Sequence, residues 1–402
     1  MALKEGRSNA RWNIFRDEEM EFQFMRTMAT LTENGAEIGE CLNVKKNTQD
    51  KDIDSLANAW TNTASFVEKV GDNQLEKNNI DSATKSYLRA SNYYRSAMNC
   101  LSPKNKWHFE NWKNAKACFE KAGALFDHPF EPIKIPFEKG FLPCYFLRPS
   151  HKKEKRPTLI VVTGGEGTAM EMYFWCAREG LRRNYNILLC EITGNISTIY
   201  ENSSLTLRED TEVPIGRVLD FVETRETVDV NKIALIGYSA GGYFAARAAA
   251  FDHRIKALIC NSALRDIHGM FTAVFPKILL SSKLSSFVDF STQHFISKAT
   301  KNSIELILWE SGIEQFSELL ELTKRATLIG IEDKITCPTL ALSGEGEGEL
   351  FLKQSETFFR NISSSIKTSK VFTEEEGASA HCQIDNLTLA RSVIYDWLDS
   401  IF

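Results

Sequence analysis

Three kinds of residue in this chain have the types and spacing for nucleophilic catalysis. The first is Ser239, in the run Gly237-Tyr-Ser-Ala-Gly-Gly242. An apolar, β-branched stretch (Ile233 to Ile236) leads into this run, and an Ala-rich, helix-forming stretch (Tyr243 to Phe251) follows it. Strand, tight turn and helix with a Ser at the tip is the context that a G-x-S-x-G nucleophile elbow needs. The small flanking residues allow a sharp turn, which pushes the hydroxyl up and out of the sheet. The next backbone N–H, of Ala240, then points into the same space and is placed to bind an oxyanion.

A Ser hydroxyl needs a base to take its proton. The chain has seven His, at 108, 128, 151, 253, 268, 294 and 381. His381 lies in Glu376-Gly-Ala-Ser-Ala-His-Cys-Gln383, a loop of small residues after the last strand-like stretch. That is the place of the base when the order along the chain is Ser, acid, His. His108 and His128 precede the sheet. His253 fits a surface position, and His268 and His294 fall in a helical insertion. The base in turn needs a carboxylate to fix its tautomer. The loop after the strand Thr339 to Leu342 reads Ser343-Gly-Glu-Gly-Glu-Gly-Glu349. Glu347, three positions past Gly344, is the expected acid, and Glu349 and Glu345 are the alternatives. A second oxyanion donor is expected from Thr163-Gly-Gly-Glu-Gly-Thr168, where paired Gly permit close backbone approach. Gly165 and Glu166 are its candidates. No Gly-Lys-Ser/Thr follows that run, so it is not a phosphate loop. No dinucleotide fingerprint and no metal-ligand spacing occurs, so no cofactor and no metal are expected.

Elements must exist to hold these groups in place. Strand signals at 133–137, 141–147, 158–163, 186–190, 255–260 and 337–343, with helical stretches between several of them, imply an α/β fold with a mostly parallel, doubly wound sheet. Ile133 to Phe137 and Phe141 to Leu147 read as a hairpin around Lys139-Gly140. A final strand near Ser369 to Phe372 and a helix from Leu387 to Ile401 close the chain. Residues 1–126 read as an all-helical domain. Its stripes include Ile53, Leu56, Trp60, Phe66 and Val70, then Ile80, Ala83, Tyr87, Ala90, Tyr94, Ala97 and Leu101. The sheet core is then expected over 127–264 and 335–402. The stretch between, 265–334, is helical and unusually apolar, and reads as a lid inserted where an open sheet presents its loops. Met270, Phe271 and Phe275 from it are expected to line a substrate pocket above Ser239. The alternative is that both helical segments serve folding or homodimerisation.

Taken together, these residues resemble the α/β-hydrolase superfamily over 130–402. More narrowly, the chain is similar to the group containing 2,6-dihydroxypseudooxynicotine hydrolase, fungal heptaketide-shortening hydrolases and acylaminoacyl-peptidase-like proteins. The stretches that carry this resemblance are Gly-Tyr-Ser-Ala-Gly-Gly-Tyr-Phe (237–244) and Gly-Ala-Ser-Ala-His-Cys-Gln (377–383). The resemblance implies a helical N-terminal cap, a nucleophile at Ser239, a base at His381 and an acid at Glu347, where the group generally has Asp. Some members carry an extra functional Glu after the Gly-Gly of the oxyanion loop, and Glu166 is the residue closest to that position. The group includes ester and amide hydrolases and C–C hydrolases of β-dicarbonyl compounds.

The expected function is a serine hydrolase cleaving an ester, amide or thioester of a small molecule with an apolar or aromatic acyl part. C–C cleavage of a β-dicarbonyl or polyketide-like substrate is the alternative, and a non-catalytic binding protein is a third reading. Composition sets the limits. Of 402 residues, 43% are hydrophobic and 25% charged, and the formal net charge is −5. Such a balance gives no electrostatic ground for binding nucleic acid or an anionic membrane. No run of about 18 apolar residues occurs, and the polar start Met-Ala-Leu-Lys-Glu-Gly-Arg has no apolar signal core. With nine dispersed Cys and no CxxC, the reading is a cytoplasmic protein with reduced thiols.

Overall fold

The computed structural model describes residues 12–274 and 297–402. Five helices come first: α1 (Glu18–Met28), α2 (Ile38–Lys46), α3 (Ile53–Glu76), α4 (Ile80–Asn99) and α5 (Lys106–Gly123). Side chains that satisfy free N–H groups set the starts of α1, α3 and α5. The Asp17 carboxylate accepts from Glu19 and Met20, and Asp52 does the same for Asp54 and Ser55. Trp60 of α3 stacks on Tyr93 of α4 with ring centroids 5.1 Å apart. The predicted α3 stripe is off by one residue, since Phe66 is exposed and Val67 is buried.

Eight strands form one sheet: β1 (Phe130–Phe137), β2 (Gly140–Leu147), β3 (Arg156–Val162), β4 (Asn186–Cys190), β5 (Val228–Tyr238), β6 (Ala257–Asn261), β7 (Thr339–Gly344) and β8 (Lys367–Phe372). Their order across the sheet is β1-β2-β4-β3-β5-β6-β7-β8. β1 and β2 pair antiparallel, as do β2 and β4. All remaining pairs are parallel. Along the buried central strands the apolar residues run without alternation, as expected when both faces are covered. Leu159, Val161, Ala234 and Ile236 face one cluster, and Ile160, Val162, Ile233 and Leu235 face the other.

The first of these clusters also contains Trp60, Tyr87, Tyr93, Trp112 and Phe119. The N-terminal helices therefore share one continuous core with a face of the sheet. Between β6 and β7 the described residues form helices Ile267–Val274, Lys298–Ser311 and Phe316–Thr323. Among the described residues, no helix is long and apolar enough to cross a membrane.

Candidate active site

β5 ends at Tyr238, and the helix Ala240–Phe251 starts two residues later. Ser239 sits between them with φ 56° and ψ −128°, a conformation that a non-glycine residue keeps only when its surroundings impose it. The flanking glycines are sterically required. A Cβ on Gly237 would lie 1.8 Å from the Gly241 carbonyl oxygen, and one on Gly242 would lie 2.0 Å from that of Ser262.

Two segments far apart in sequence bring His381 and Glu347 to this turn. His381 lies in the loop beyond β8, and its Nε2 is 2.9 Å from Ser239 Oγ. Its Nδ1 hydrogen-bonds Glu347 Oε1. Glu347 is in the turn that follows β7, and it folds back so that Oε2 accepts the Gly344 N–H at 2.7 Å. The Ser262 hydroxyl also donates to Glu347 Oε1. A fully buried carboxylate is thus met by three donors, which offsets its loss of water. Because the carboxylate is an acceptor, Nδ1 carries the proton of the neutral imidazole, and in that form Nε2 accepts from Ser239. Of the three alternating glutamates, Glu345 and Glu349 are exposed, and Glu345 instead accepts the Glu374 N–H at 3.1 Å.

Burial acts against charging His381, but the Glu347 carboxylate bonded to Nδ1 outweighs it and holds the pKa above the ordinary His value. Cys382 is buried, and its thiol donates to the Asn261 carbonyl at 3.5 Å. The Gln383 side chain accepts from Asn261 Nδ2 at 2.8 Å. These two bonds fasten the His381 loop to the end of β6.

The Gly-rich loop after β3 passes directly over Ser239. A Cβ on Gly164 would come 2.7 Å from the Ala240 nitrogen and 3.0 Å from Ser239 Cβ. Ala240 and Gly165 line one cavity of about 120 Å³, and no group among the described residues accepts from either N–H. The two sequence candidates for a second oxyanion donor are now distinguishable. The Glu166 N–H is already given to the Glu310 carboxylate, Oε1 at 3.0 Å, whereas Gly165 faces the cavity. The Glu166 carbonyl is held by Arg26 Nη2 at 3.1 Å and by Asn99 Nδ2 at 3.3 Å.

The expected pocket residues fare differently. Met270 is half-buried and packs against the core under the sheet rather than on the cavity wall. Ile267, one turn earlier on the same helix, lines the cavity instead. The Phe271 side chain and the whole of Phe275 lie outside the described residues.

Over 97% of its length and 98% of theirs, the chain is 27% identical to 20-hydroxy-prefusarin hydrolase FUS2 of Gibberella moniliformis. It is 28% identical to α/β hydrolase xenA of Xenoacremonium sinensis, over 85% of each chain. Its fold matches that of 2,6-dihydroxy-pseudo-oxynicotine hydrolase with a TM-score of 0.73 across 93% of this chain and 95% of that one, at 17% identity. The chain has the α/β-hydrolase fold. No family model matches it. Within this fold the chain carries a helical N-terminal region on one face of the sheet.

Sequence reasoning missed three residues at the candidate site: Ser262, Arg26 and Glu310. Ser262 and Arg26 give no local signal, because their partners are 85 and 140 or more residues away. Glu310 had one: it is a lone carboxylate directly after the apolar run Leu306-Ile-Leu-Trp309.

Proposed function

We propose that this α/β-hydrolase cleaves an ester, amide or thioester of a small molecule through an acyl-enzyme on Ser239. The observation that carries this reading is the continuous chain of hydrogen bonds from Ser239 Oγ through His381 to Glu347. His381 Nε2 takes the Ser239 proton as Oγ attacks the scissile carbonyl. The imidazolium that forms is stabilised by the Glu347 carboxylate. Charge then develops on the carbonyl oxygen, where the Ala240 and Gly165 N–H groups are the donors we assign. His381 passes the proton to the leaving group, and water, activated by the same base, releases the acyl group.

The mostly apolar cavity beside Ala240 is the site we assign to the acyl part. Its walls come from the helices after β5 and from the segment between β6 and β7, with Phe244, Ile307 and Leu319 among them. In this reading 265–334 acts as a lid, and 1–126 acts as a cap that braces the oxyanion loop.

Rapid mixing with p-nitrophenyl butyrate tests the acyl-enzyme. The expected result is a burst of p-nitrophenol equal to the enzyme concentration, followed by a slower linear phase. Turnover with no covalent butyryl adduct on rapid quenching would argue against this pathway.

A further inference from the structure

One Asn on the wall of the cavity gives up the usual duty of its position. Asn195 precedes the helix Ile196–Glu201 in the extended conformation of a helix cap, with φ −79° and ψ 154°. An Asn there normally turns its side-chain oxygen onto the first free N–H groups of the helix. Asn195 makes no such bond. The Ser197 N–H goes instead to Glu191, whose Oε2 accepts it at 2.7 Å and whose Oε1 accepts the Ala169 N–H at 2.8 Å. The Asn195 side chain is buried and bonded elsewhere. Its Oδ1 accepts the Ile192 N–H at 2.8 Å, and its Nδ2 donates to the Gly164 carbonyl at 3.2 Å. These partners fix which way round the amide sits, because the reverse would set oxygen against oxygen and N–H against N–H.

The Gly164 carbonyl belongs to the peptide unit that carries the Gly165 N–H. A trans peptide is planar and holds its C=O and N–H antiparallel, so whatever fixes that carbonyl also fixes the direction of the Gly165 N–H. Position 164 has no room for a side chain, since a Cβ there would lie 2.7 Å from the Ala240 nitrogen. With Gly on both sides of the bond, sterics alone put little restraint on turning the unit over. The groups that follow are gripped separately: Glu310 takes the Glu166 N–H, and Arg26 and Asn99 hold the Glu166 carbonyl. Among the described residues, the Asn195 bond is the one that holds the Gly164–Gly165 unit. Asn195 is in turn seated on a closed turn, its own N–H bonding the Ile192 carbonyl at 3.1 Å.

We infer that Asn195 is the positioning residue of the second oxyanion donor: its amide holds the Gly164–Gly165 peptide so that the Gly165 N–H meets the substrate carbonyl oxygen. This rests on the serine-hydrolase reading above. Loss of the Nδ2 donor lets the unit turn over and takes the N–H away, while Ser239, His381 and Glu347 keep their own bonds. Asn195→Asp keeps the shape and the acceptor for the Ile192 N–H, but sets an oxygen against the Gly164 carbonyl. Turning over then gives the Gly165 N–H to the new carboxylate. Asn195→Ala removes the donor without adding a charge.

The test compares p-nitrophenyl butyrate with its thiono analogue, in which sulfur replaces the carbonyl oxygen, each relative to its rate with hydroxide. Sulfur is a weak acceptor, so donors aimed at the carbonyl act mainly on the oxygen ester. The wild type should favour the oxygen ester in kcat/KM by about 10-fold or more. Asn195→Asp and Asn195→Ala should lower kcat for the oxygen ester by roughly 10–100-fold, with KM little changed, and should remove most of that preference. The ratio is taken on one sample, so the share of folded enzyme cancels. A merely structural Asn195 would slow both substrates alike and keep the ratio, and that result would overturn the proposal. So would a wild type that shows no preference, a measurement that needs no variant to fold. Fluorophosphonate labelling of the wild type keeps the two readings apart. Without labelling of Ser239 the hydrolase reading fails and takes this proposal with it, whereas labelling with an unchanged ratio in the variants overturns the Asn195 assignment alone.

Discussion

The Arg26 guanidinium grips both carboxylate oxygens of Glu171, with Nε 2.6 Å from Oε1 and Nη2 2.5 Å from Oε2. Arg95 adds a second cation at 3.2 Å, and all three side chains are buried. The same Arg26 Nη2 reaches the Glu166 carbonyl in the oxyanion loop. Helices α1 and α4 are thereby fastened to the loop that lies over Ser239.

Arg26 is accordingly expected to be a positioning residue. Arg26→Lys keeps the charge but loses the forked geometry. Its kcat should fall by about 10–100-fold, the range for a misplaced oxyanion donor, with KM little changed. Affinity for an alkyl boronic acid, which mimics the tetrahedral state, should fall in step with kcat. A folded Arg26→Lys enzyme with normal kcat would refute this linkage.

Glu347 is expected to be the acid that orients His381. Glu347→Gln should reduce kcat by roughly 10⁴, whereas Glu345→Gln and Glu349→Gln should stay close to wild type. Loss of activity in Glu349→Gln with Glu347→Gln spared would reassign the role. Ser262→Ala removes one of the three donors to the same carboxylate and should reduce kcat by a smaller factor, on the order of 10-fold.

The pH profile follows from His381. The working base is the neutral imidazole, and the Glu347 carboxylate raises its pKa. Lowering the pH through a raised pKa protonates the base, so kcat/KM should have its acid limb above the ordinary His value of about 6.5. Glu347→Gln removes the carboxylate that raises it and should move the limb to lower pH. A wild-type limb at or below the ordinary value would contradict the electrostatic account.

His108 supplies a test of stability. It is buried with its Nδ1 against the Tyr200 hydroxyl, and burial pushes its pKa down to about 3. Between that value and the ordinary one, the unfolded chain binds a proton that the folded chain refuses. Stability should therefore drop as pH falls through this window, by up to about 1.4 kcal/mol per pH unit from this group. Urea midpoints at pH 7 and 4.5 should converge for His108→Gln relative to wild type. Equal pH sensitivity in both proteins would remove His108 from the account.

Local patterns in the chain announce the elements that carry the chemistry. The apolar run into Gly237-Tyr-Ser-Ala-Gly-Gly242 reads as strand, turn and helix, and the structure has β5, Ser239 and Ala240–Phe251 there. The last helix, Leu387–Ile401, matches its periodicity to the residue. Periodicity failed where one face had to be chosen without knowing the neighbour: Phe66 points to solvent, and Ile267 replaces Met270 at the cavity. Side chains whose role comes from a distant partner left little or no mark. Arg26, Ser262 and Glu310 become meaningful only when the sheet brings together the turns after β3, β5, β6 and β7.

Covalent labelling of Ser239 tests the central claim most directly. A fluorophosphonate should add to the intact protein at one equivalent, with tandem mass spectrometry placing it on Ser239. Ser239→Ala should remain unlabelled, and His381→Gln should label at least about 10³-fold more slowly, because the base is gone. Equal labelling of wild type and Ser239→Ala would contradict the account.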